Sequence, residues 1–390
     1  MSAPTDTPTV TPLSEELTRR ALDLVQAKST DMAAGLLEVP LSYYRDPDVL
    51  EREMGLLRTT PLALAPSAQV GEKHSFVVRQ VLGTSLLITR DADGMAHVFL
   101  NYCRHRGASP AEGSGVSRRF TCPYHAWSYD TKGCLASMPG KKGFDTMDRS
   151  GYGLVELPSE ERHGFIWGVL DKDAPFDLDD HLGSLDAELA QWSYGTYGYL
   201  TDREFDSTVS WKNALEAFAE SYHFPFVHGQ SVIGMNAVAD CSVHDRFGKH
   251  HRMGFPFQWI KDLEQGSDWS PQSNMGVIYW VYPNLILANS PVGVEIIDML
   301  PAGDPTSCTV RHSWMGIVPA QDEATTAAYQ EIYEQVHAAV RDEDFGVLPG
   351  CGSGVRAGQH DHMIIGKNEI GVQHMIQVMA NELNIPLTYS

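Results

Sequence analysis

Cys103-Arg104-His105-Arg106-Gly107, a loop, and then Cys122-Pro123-Tyr124-His125-Ala126-Trp127 decide how this chain is built. Each short piece offers one thiolate and one imidazole, and the intervening residues 106–121 are long enough for a loop of their own. A [2Fe–2S] cluster of mixed ligation takes both cysteines on one iron and both histidines on the other, so each loop must supply one of each. Zinc is the competing reading, but Cys2His2 zinc sites usually group two cysteines and then two histidines. Here the types interleave, and four ligands in fixed order point to the cluster.

Outward from these loops the pattern is that of a small all-β domain. Residues 76–81, 86–89 and 95–100 are β-branched or apolar runs, and Asp91-Ala92-Asp93-Gly94 between the last two is a hairpin signal. Residues 128–130 and 135–138 flank the turn Thr131-Lys132-Gly133, and 163–170 has the composition of a closing strand. Upstream, Ser14 with Glu15 and Glu16 starts a helix whose Leu17, Ala21, Leu24 and Val25 share one face, and Asp46-Pro47 opens a second. The acidic stretch 171–180, with Pro175, marks a domain boundary. The expected division is 1–45, an N-terminal helical extension; 46–172, the cluster domain; and 173–390, a second domain.

In that second domain 205–211 is strand-like and 211–222 turns helical. Strands follow at 252–259, 276–288, 292–300 and 308–318, and Asp322 caps a long helix running to about Val347. The fold class is therefore α+β: a small all-β domain, then a curved antiparallel sheet packed on long helices.

The 390 residues carry 29 Lys plus Arg against 50 Asp plus Glu, a formal charge of −21. Nucleic acid is excluded as a partner, because phosphates demand a basic surface. An acidic surface confers solubility or steers a basic partner, such as a basic docking face on a reductase. Cys134, Cys241, Cys308 and Cys351 are scattered and are read as reduced thiols. Residues 1–10 have no basic or apolar signal region, and the most apolar stretch, 275–288, is broken by Pro283 and Asn284. The expected setting is cytoplasmic, with no membrane contact.

A second candidate site lies in residues 211–228, WKNALEAFAESYHFPFVH. His223 and His228 would sit about 140° apart on an ideal helix, so they share a metal only if the helix ends between them, and Pro225 is the expected end. Taken alone, two buried, hydrogen-bonded imidazoles would explain the pair as well. A mononuclear iron(II) that activates oxygen needs two imidazoles and one carboxylate on one face. The long helix offers Asp342, Glu343 and Asp344. Its apolar stripe is Tyr329, Ile332, Tyr333, Val336 and Val340; Asp342 falls on the far side, while Glu343 and Asp344 both lie within about 60° of the stripe's centre. Periodicity does not choose between those two.

The combined order resembles the catalytic α subunit of the Rieske non-haem iron ring-hydroxylating oxygenases: Cys-x-His, a loop, Cys-x-x-His, a Trp-Lys helix ending in Glu-x-Tyr-His-x4-His, and an acidic pair on a C-terminal helix. The likeness runs from about Leu41 onward. It implies that Cys103 and Cys122 hold one cluster iron, His105 and His125 the other, and His223, His228 and Asp344 the mononuclear iron. The family's habit of using the second acid of the pair is what selects Asp344 over Glu343. It also implies a helix-grip, START-like catalytic domain and electrons supplied by a ferredoxin and/or a flavin reductase. The implied assembly is a homotrimer, with or without a small β subunit, in which Glu220 bridges His223 to His125 of the neighbouring chain.

Three departures stand out: Ala126 replaces the usual glycine of the second cluster loop, Ala217 replaces a common asparagine, and Glu220 replaces an aspartate. Glutamate at that place is seen in some monooxygenases acting on quaternary amines. The implied reaction is O2-dependent hydroxylation of an apolar, aromatic small molecule, as in aromatic compound catabolism. A monooxygenase or demethylase on an amine, quaternary ammonium or methoxy substrate is the alternative. A Rieske electron carrier fused to a binding domain without chemistry is a third reading. Phe218, Phe224, Phe226, Val232, Ile233, Met235, Val294 and Ile296 are candidates for the pocket or the core; His250, His251, His360 and His362 have no matching ligand set and are assigned surface or structural roles.

Overall fold

The computed structural model describes residues 10–389, so the expected absence of a signal region falls almost wholly outside the described residues. The chain forms two compact units, one of residues 54–181 with 193–199, the other of residues up to Glu53 with 182–192 and 200–390. None of the described helices is long and apolar enough to cross a membrane.

In the first unit, Ser75–Val81, Thr84–Arg90 and Ala96–Leu100 pair antiparallel as the alternation predicts, and Ser114–Val116 adds an edge strand. The Asp91 carboxylate closes the expected hairpin by accepting from the N–H groups of Asp93 and Met95, both at 2.8 Å. Phe120–Thr121, Ser128–Tyr129 and Leu135–Ser137 form a second small sheet around the second cluster loop. Phe99, Phe120, Trp127 and Tyr129 fill the core beneath both loops, so the loops rest on a packed base.

In the second unit, α1 (Glu15–Ala27) buries Leu17 and Ala21, the face its spacing predicts. This helix is part of the unit and not a separate extension. Thr11 and Arg20 reach the buried Asp245 at 2.9 and 3.1 Å, and Ser242 N–H donates to Thr30 Oγ1 at 3.0 Å. A seven-stranded antiparallel sheet follows: β1 (Gly198–Ser207), β2 (Val243–Phe247), β3 (His250–Pro256), β4 (Met275–Val281), β5 (Leu285–Ser290), β6 (Gly293–Pro301) and β7 (Cys308–Gly316), in the order 1-7-6-5-4-3-2.

Two strand expectations change. Residues 276–288 are two strands, because Pro283-Asn284 forms a turn and β4 folds back on β5. β2 was not expected, since its His244, Asp245 and Arg246 read as polar. Asp245 and His244 are buried among Arg252, Ser242 and His251, where hydrogen bonds replace apolar packing.

Candidate metal centres

In the first cluster loop, Cys103 N–H donates to the Ala108 carbonyl and Gly107 N–H returns to the Cys103 carbonyl, with Gly107 at φ +82°. In the second, Cys122 N–H donates to Trp127 O and Ala126 N–H to Cys122 O, with Ala126 itself at φ +55°. These turns aim Cys103 and Cys122, both buried, and His105 and His125 toward one place; the imidazole centroids lie 4.5 Å apart. His105 stacks on Trp127, and its buried Nδ1 has no hydrogen-bond partner, as expected of an atom kept for a metal. Tyr129 Oη lies 3.2 Å from Cys103 Sγ and accepts from Arg104 N–H.

Among the described residues, one group of three or more donors converges within 4.8 Å, and it is not this one. Four ligands that do not meet at a point fit a two-iron cluster better than a single zinc.

The convergent group is His223, His228 and Asp344. The path to it differs from the expected helix. α2 (Trp211–Glu216) runs into a short 3-10 turn over Ala217–Ala219, and Glu220 is extended at φ −147° and ψ 160°. Glu220 and His223 therefore share no helical face. Instead the Glu220 carboxylate folds forward, accepting from Tyr222 and His223 N–H and from His223 Nδ1.

Pro225 does not end a helix. It sits in the first turn of α3 (Phe224–Val227), where its missing N–H and fixed φ are no handicap, and His223 and His228 are the two caps of that turn. Its brevity is what turns two histidines five apart toward each other.

The carboxylates come from the other end of the unit. Asp322 caps α4 (Glu323–Ala338), accepting from Thr325 N–H at 2.7 Å. The helix then widens into a π turn over Ala339–Asp344 and continues as α5 (Phe345–Ala357), past the expected end. Asp342 pairs with Arg341 in solvent, as expected of the far-side acid. Asp344 Oδ1 is buried, 3.5 Å from His223 Nε2 and 3.1 Å from His228 Nε2, while Glu343 Oε2 lies 2.7 Å from His228 Nδ1.

Both stripe-facing acids are used, in different ways. Each imidazole has a carboxylate on Nδ1, Glu220 or Glu343, which fixes its tautomer and leaves Nε2 toward Asp344. Burial pulls the His223 imidazole down, but Asp344 and Glu220 outweigh it and lift it to about 9. Burial likewise pushes Asp344 up, and the two imidazoles overcome it and hold the carboxyl below its usual range. Two imidazoles and one carboxylate on one face suit a divalent iron with open positions opposite.

A cavity of about 310 Å³ opens onto these three residues. Phe218, Phe224, Val232 and Ile233 line it as expected. Phe226 and Met235 are instead exposed, at 77% and 64%, and Val294 and Ile296 are buried on the far face of β6, because Glu295 between them points into the cavity. The alternation along β6 carried that signal; apolar character alone misled. His250 and His251 are buried and His360 and His362 exposed, and none of them joins a metal group.

Comparison with known proteins names the class that this fold and these two centres define. Residues 60–148 match the model of the Rieske [2Fe-2S] domain and residues 194–384 that of the ring hydroxylating alpha subunit, catalytic domain. The chain belongs to the α subunits of the Rieske oxygenases. It is an oxidoreductase that uses a Rieske cluster and a mononuclear iron, works with O2 and a reductase or ferredoxin, and is not a bare electron carrier.

Among relatives, it is 23% identical over 359 residues to the carnitine monooxygenase oxygenase subunit of Escherichia coli (strain K12), covering 88% of this chain and 92% of that one. Over 216 residues it is 32% identical to the N,N-dimethyl phenylurea N-demethylase subunit alpha of Sphingobium sp. (strain YBL2), covering 53% and 46%. A crystal structure of the quaternary ammonium Rieske monooxygenase CntA superposes with a TM-score of 0.76 at 20% identity, over 96% of this chain and 99% of that one.

Proposed function

We propose that this chain hydroxylates a small molecule with an apolar, aromatic body, held in the cavity that opens on His223, His228 and Asp344. That cavity is the observation that carries the reading: its walls include Phe218, Phe224, Phe255, Phe257 and Trp259, and no Lys or Arg is among its described lining residues. In the proposed assignment Cys103 and Cys122 hold one cluster iron, His105 and His125 the other, and His223, His228 and Asp344 the mononuclear iron, with residues 46–172 as the cluster part and 173–390 as the catalytic part. When bound, the cluster supplies single electrons and the mononuclear iron supplies oxygen activation.

The chain's own residues do the rest. Glu220 and Glu343 hold the imidazoles in one tautomer, and the apolar walls exclude water from the reacting face. The exposed His125 suits a homotrimer in which it donates to Glu220 of the next chain, so that Glu220 joins the two centres. A cytoplasmic setting is in keeping with free thiols at all six cysteines.

A monooxygenase or demethylase reaction on an amine, quaternary ammonium or methoxy substrate is the second reading, favoured by Glu220 and by the likeness to a carnitine monooxygenase and to an N,N-dimethyl phenylurea N-demethylase. Turnover of a substrate panel under labelled O2, with product analysis, tests both. A labelled hydroxyl on a ring supports the first and formaldehyde release the second; neither, in protein carrying about three irons per chain, would overturn the site.

A further inference from the structure

One acid in the cavity has no part in the metal centre. Adjacent strands place Met253, Ile278, Ala288 and Glu295 in one row across β3, β4, β5 and β6, and all four line the cavity. Glu220 and Asp344 belong to the centre, so Glu295 is the single remaining ionisable group among the described lining residues.

It lies well away from the metal. Phe224, beside His223, packs on Phe255 of β3 with centroids 5.1 Å apart, whereas Glu295 lies three strands further on, about 14 Å at the usual strand spacing. α4 gives a second measure of this separation. His337, which contacts the Glu295 partner His312, precedes Asp344 by seven residues, about 10 Å along a helix.

Glu295 is held from behind by a buried pair. His312, fully buried on β7, has Nε2 at 3.1 Å from Glu295 Oε2, an ion-pair contact outside hydrogen-bond geometry, so that buried nitrogen has no hydrogen-bond partner. His312 Nδ1 lies 3.1 Å from Nδ1 of His337. Burial, then His312 and Arg203, depress His337 to about 4, so its ring is neutral at working pH. One proton lies between the two Nδ1 atoms. No other ion pair or hydrogen bond engages the Glu295 carboxylate among the described residues, which leaves Oε1 for a ligand.

We infer that Glu295, steadied by His312 and His337, is the specificity-determining residue of this oxygenase, selecting substrates that carry a nitrogen cation about 10 Å from the atom to be oxidised. This rests on the cavity being the substrate site. With no Lys or Arg among its described lining residues and the two histidines turned to the metal centre, the cavity is the wrong place for a carboxylate substrate and the right one for an ammonium whose remaining body is apolar. The charge of −21 on the whole chain works in the same direction, drawing cations and repelling anions.

The test compares phenyltrimethylammonium with tert-butylbenzene, nearly equal in shape and differing in charge, by calorimetric binding to the iron-loaded enzyme without reductant. The wild type should bind the cation at least tenfold more tightly. Glu295→Gln should erase that preference and leave the hydrocarbon's affinity as it was, which also shows that the variant is folded. Equal binding by the wild type, or a preference that survives Glu295→Gln, overturns the role of Glu295 and leaves the cavity standing. Failure of both probes to bind the folded holoenzyme overturns the cavity reading itself, and the inference with it.

Discussion

Ala126 shows how much can hang on one methyl group. Its φ of +55° is ground where a Cβ meets the following carbonyl, at a cost of about 1–2 kcal/mol for a non-glycine residue. Small size is thus not what the position asks for; a missing Cβ is. Ala126→Gly should raise the stability of the cluster-bearing unit by about 0.5–1 kcal/mol, after the extra chain entropy of glycine is taken off. Scanning calorimetry of the loaded protein would show a higher midpoint, and an unchanged or lower one would contradict the strain.

Glu220 poses a different question at the same scale. Its carboxylate takes three donors from Tyr222 and His223, so glutamine can keep the backbone contacts while losing the charge. Glu220→Gln is expected to retain both iron centres and to lose coupled turnover by tenfold or more, read as product formed per O2 consumed. Full coupling in that variant would remove Glu220 from the path between the centres.

At the level of elements, the π turn at Ala339–Asp344 is what lets two consecutive acids serve one site. A π turn accommodates one more residue than an α turn, and without it every later side chain rotates by about 100°. Deleting Asp342, which is exposed and pairs with its neighbour Arg341, takes out that extra residue and should restore a plain helix that keeps Asp344 and α5 in phase. Iron should stay at about three per chain with the visible absorption of the cluster intact, and a fall to about two with that absorption unchanged would contradict the compensation. Loss of both signals would mean that the deletion had merely unfolded the protein.

The same elements show what was legible in the sequence. Residue types and spacing pointed to both cluster loops, because ligand chemistry admits few residue types, but they only offered His223, His228 and the acidic pair as candidates, which the family resemblance then chose. Local geometry was not legible. The break at Glu220, the one-turn helix opened by Pro225 and the π turn depend on how the second unit packs, and none follows from an ideal 3.6-residue period. β2 escaped notice because its buried partners are polar. Glu343 could be found only by asking what holds His228 Nδ1, and Glu295 only by reading β6 two residues at a time.

Over the whole molecule, charge is unevenly spread. Residues 101–142 carry seven Lys and Arg, all exposed, against Glu112 and Asp130, in a chain that is otherwise strongly acidic. The surface around the cluster loops therefore suits an acidic electron donor, the reverse of the basic docking face expected from net charge. Reversing two of these charges, Arg118→Glu with Arg119→Glu, should slow reduction by an acidic ferredoxin at least tenfold at low salt and hardly at all at high salt. Stopped-flow bleaching of the cluster absorption would report it, and a rate indifferent to salt would place the donor elsewhere.

Acid should weaken the second unit. Burial depresses His244 and His374 to about 3 and His251 well below its ordinary 6.5, so the unfolded chain binds more protons than the folded one once the pH drops under 6.5. Glu216, raised by burial to about 8, acts in the opposite direction, since its folded form already holds a proton. His337, also depressed to about 4, makes four against one, and the half-buried Asp31 and Glu369 carboxyls, both raised by burial, offset part of it, leaving a net excess of about two protons in the unfolded state near pH 5.5. Stability should thus fall as the pH drops from 6.5, by on the order of 2 kcal/mol per pH unit. Urea midpoints at pH 7, 6 and 5 would measure the slope, which His374→Gln should flatten.

The row Met253, Ile278, Ala288 and Glu295 also works as a ruler. Each rung advances about 4.8 Å across the sheet, so a guest lying along it is gauged in strands, from the metal end at β3 to the acid end at β6. The shortest side chain of the four, Ala288, stands just before the last mark. A bulkier group there would shut off the acid end without touching the metal ligands, so the length of molecule this enzyme accepts can be reset at one position while its chemistry stays as it is.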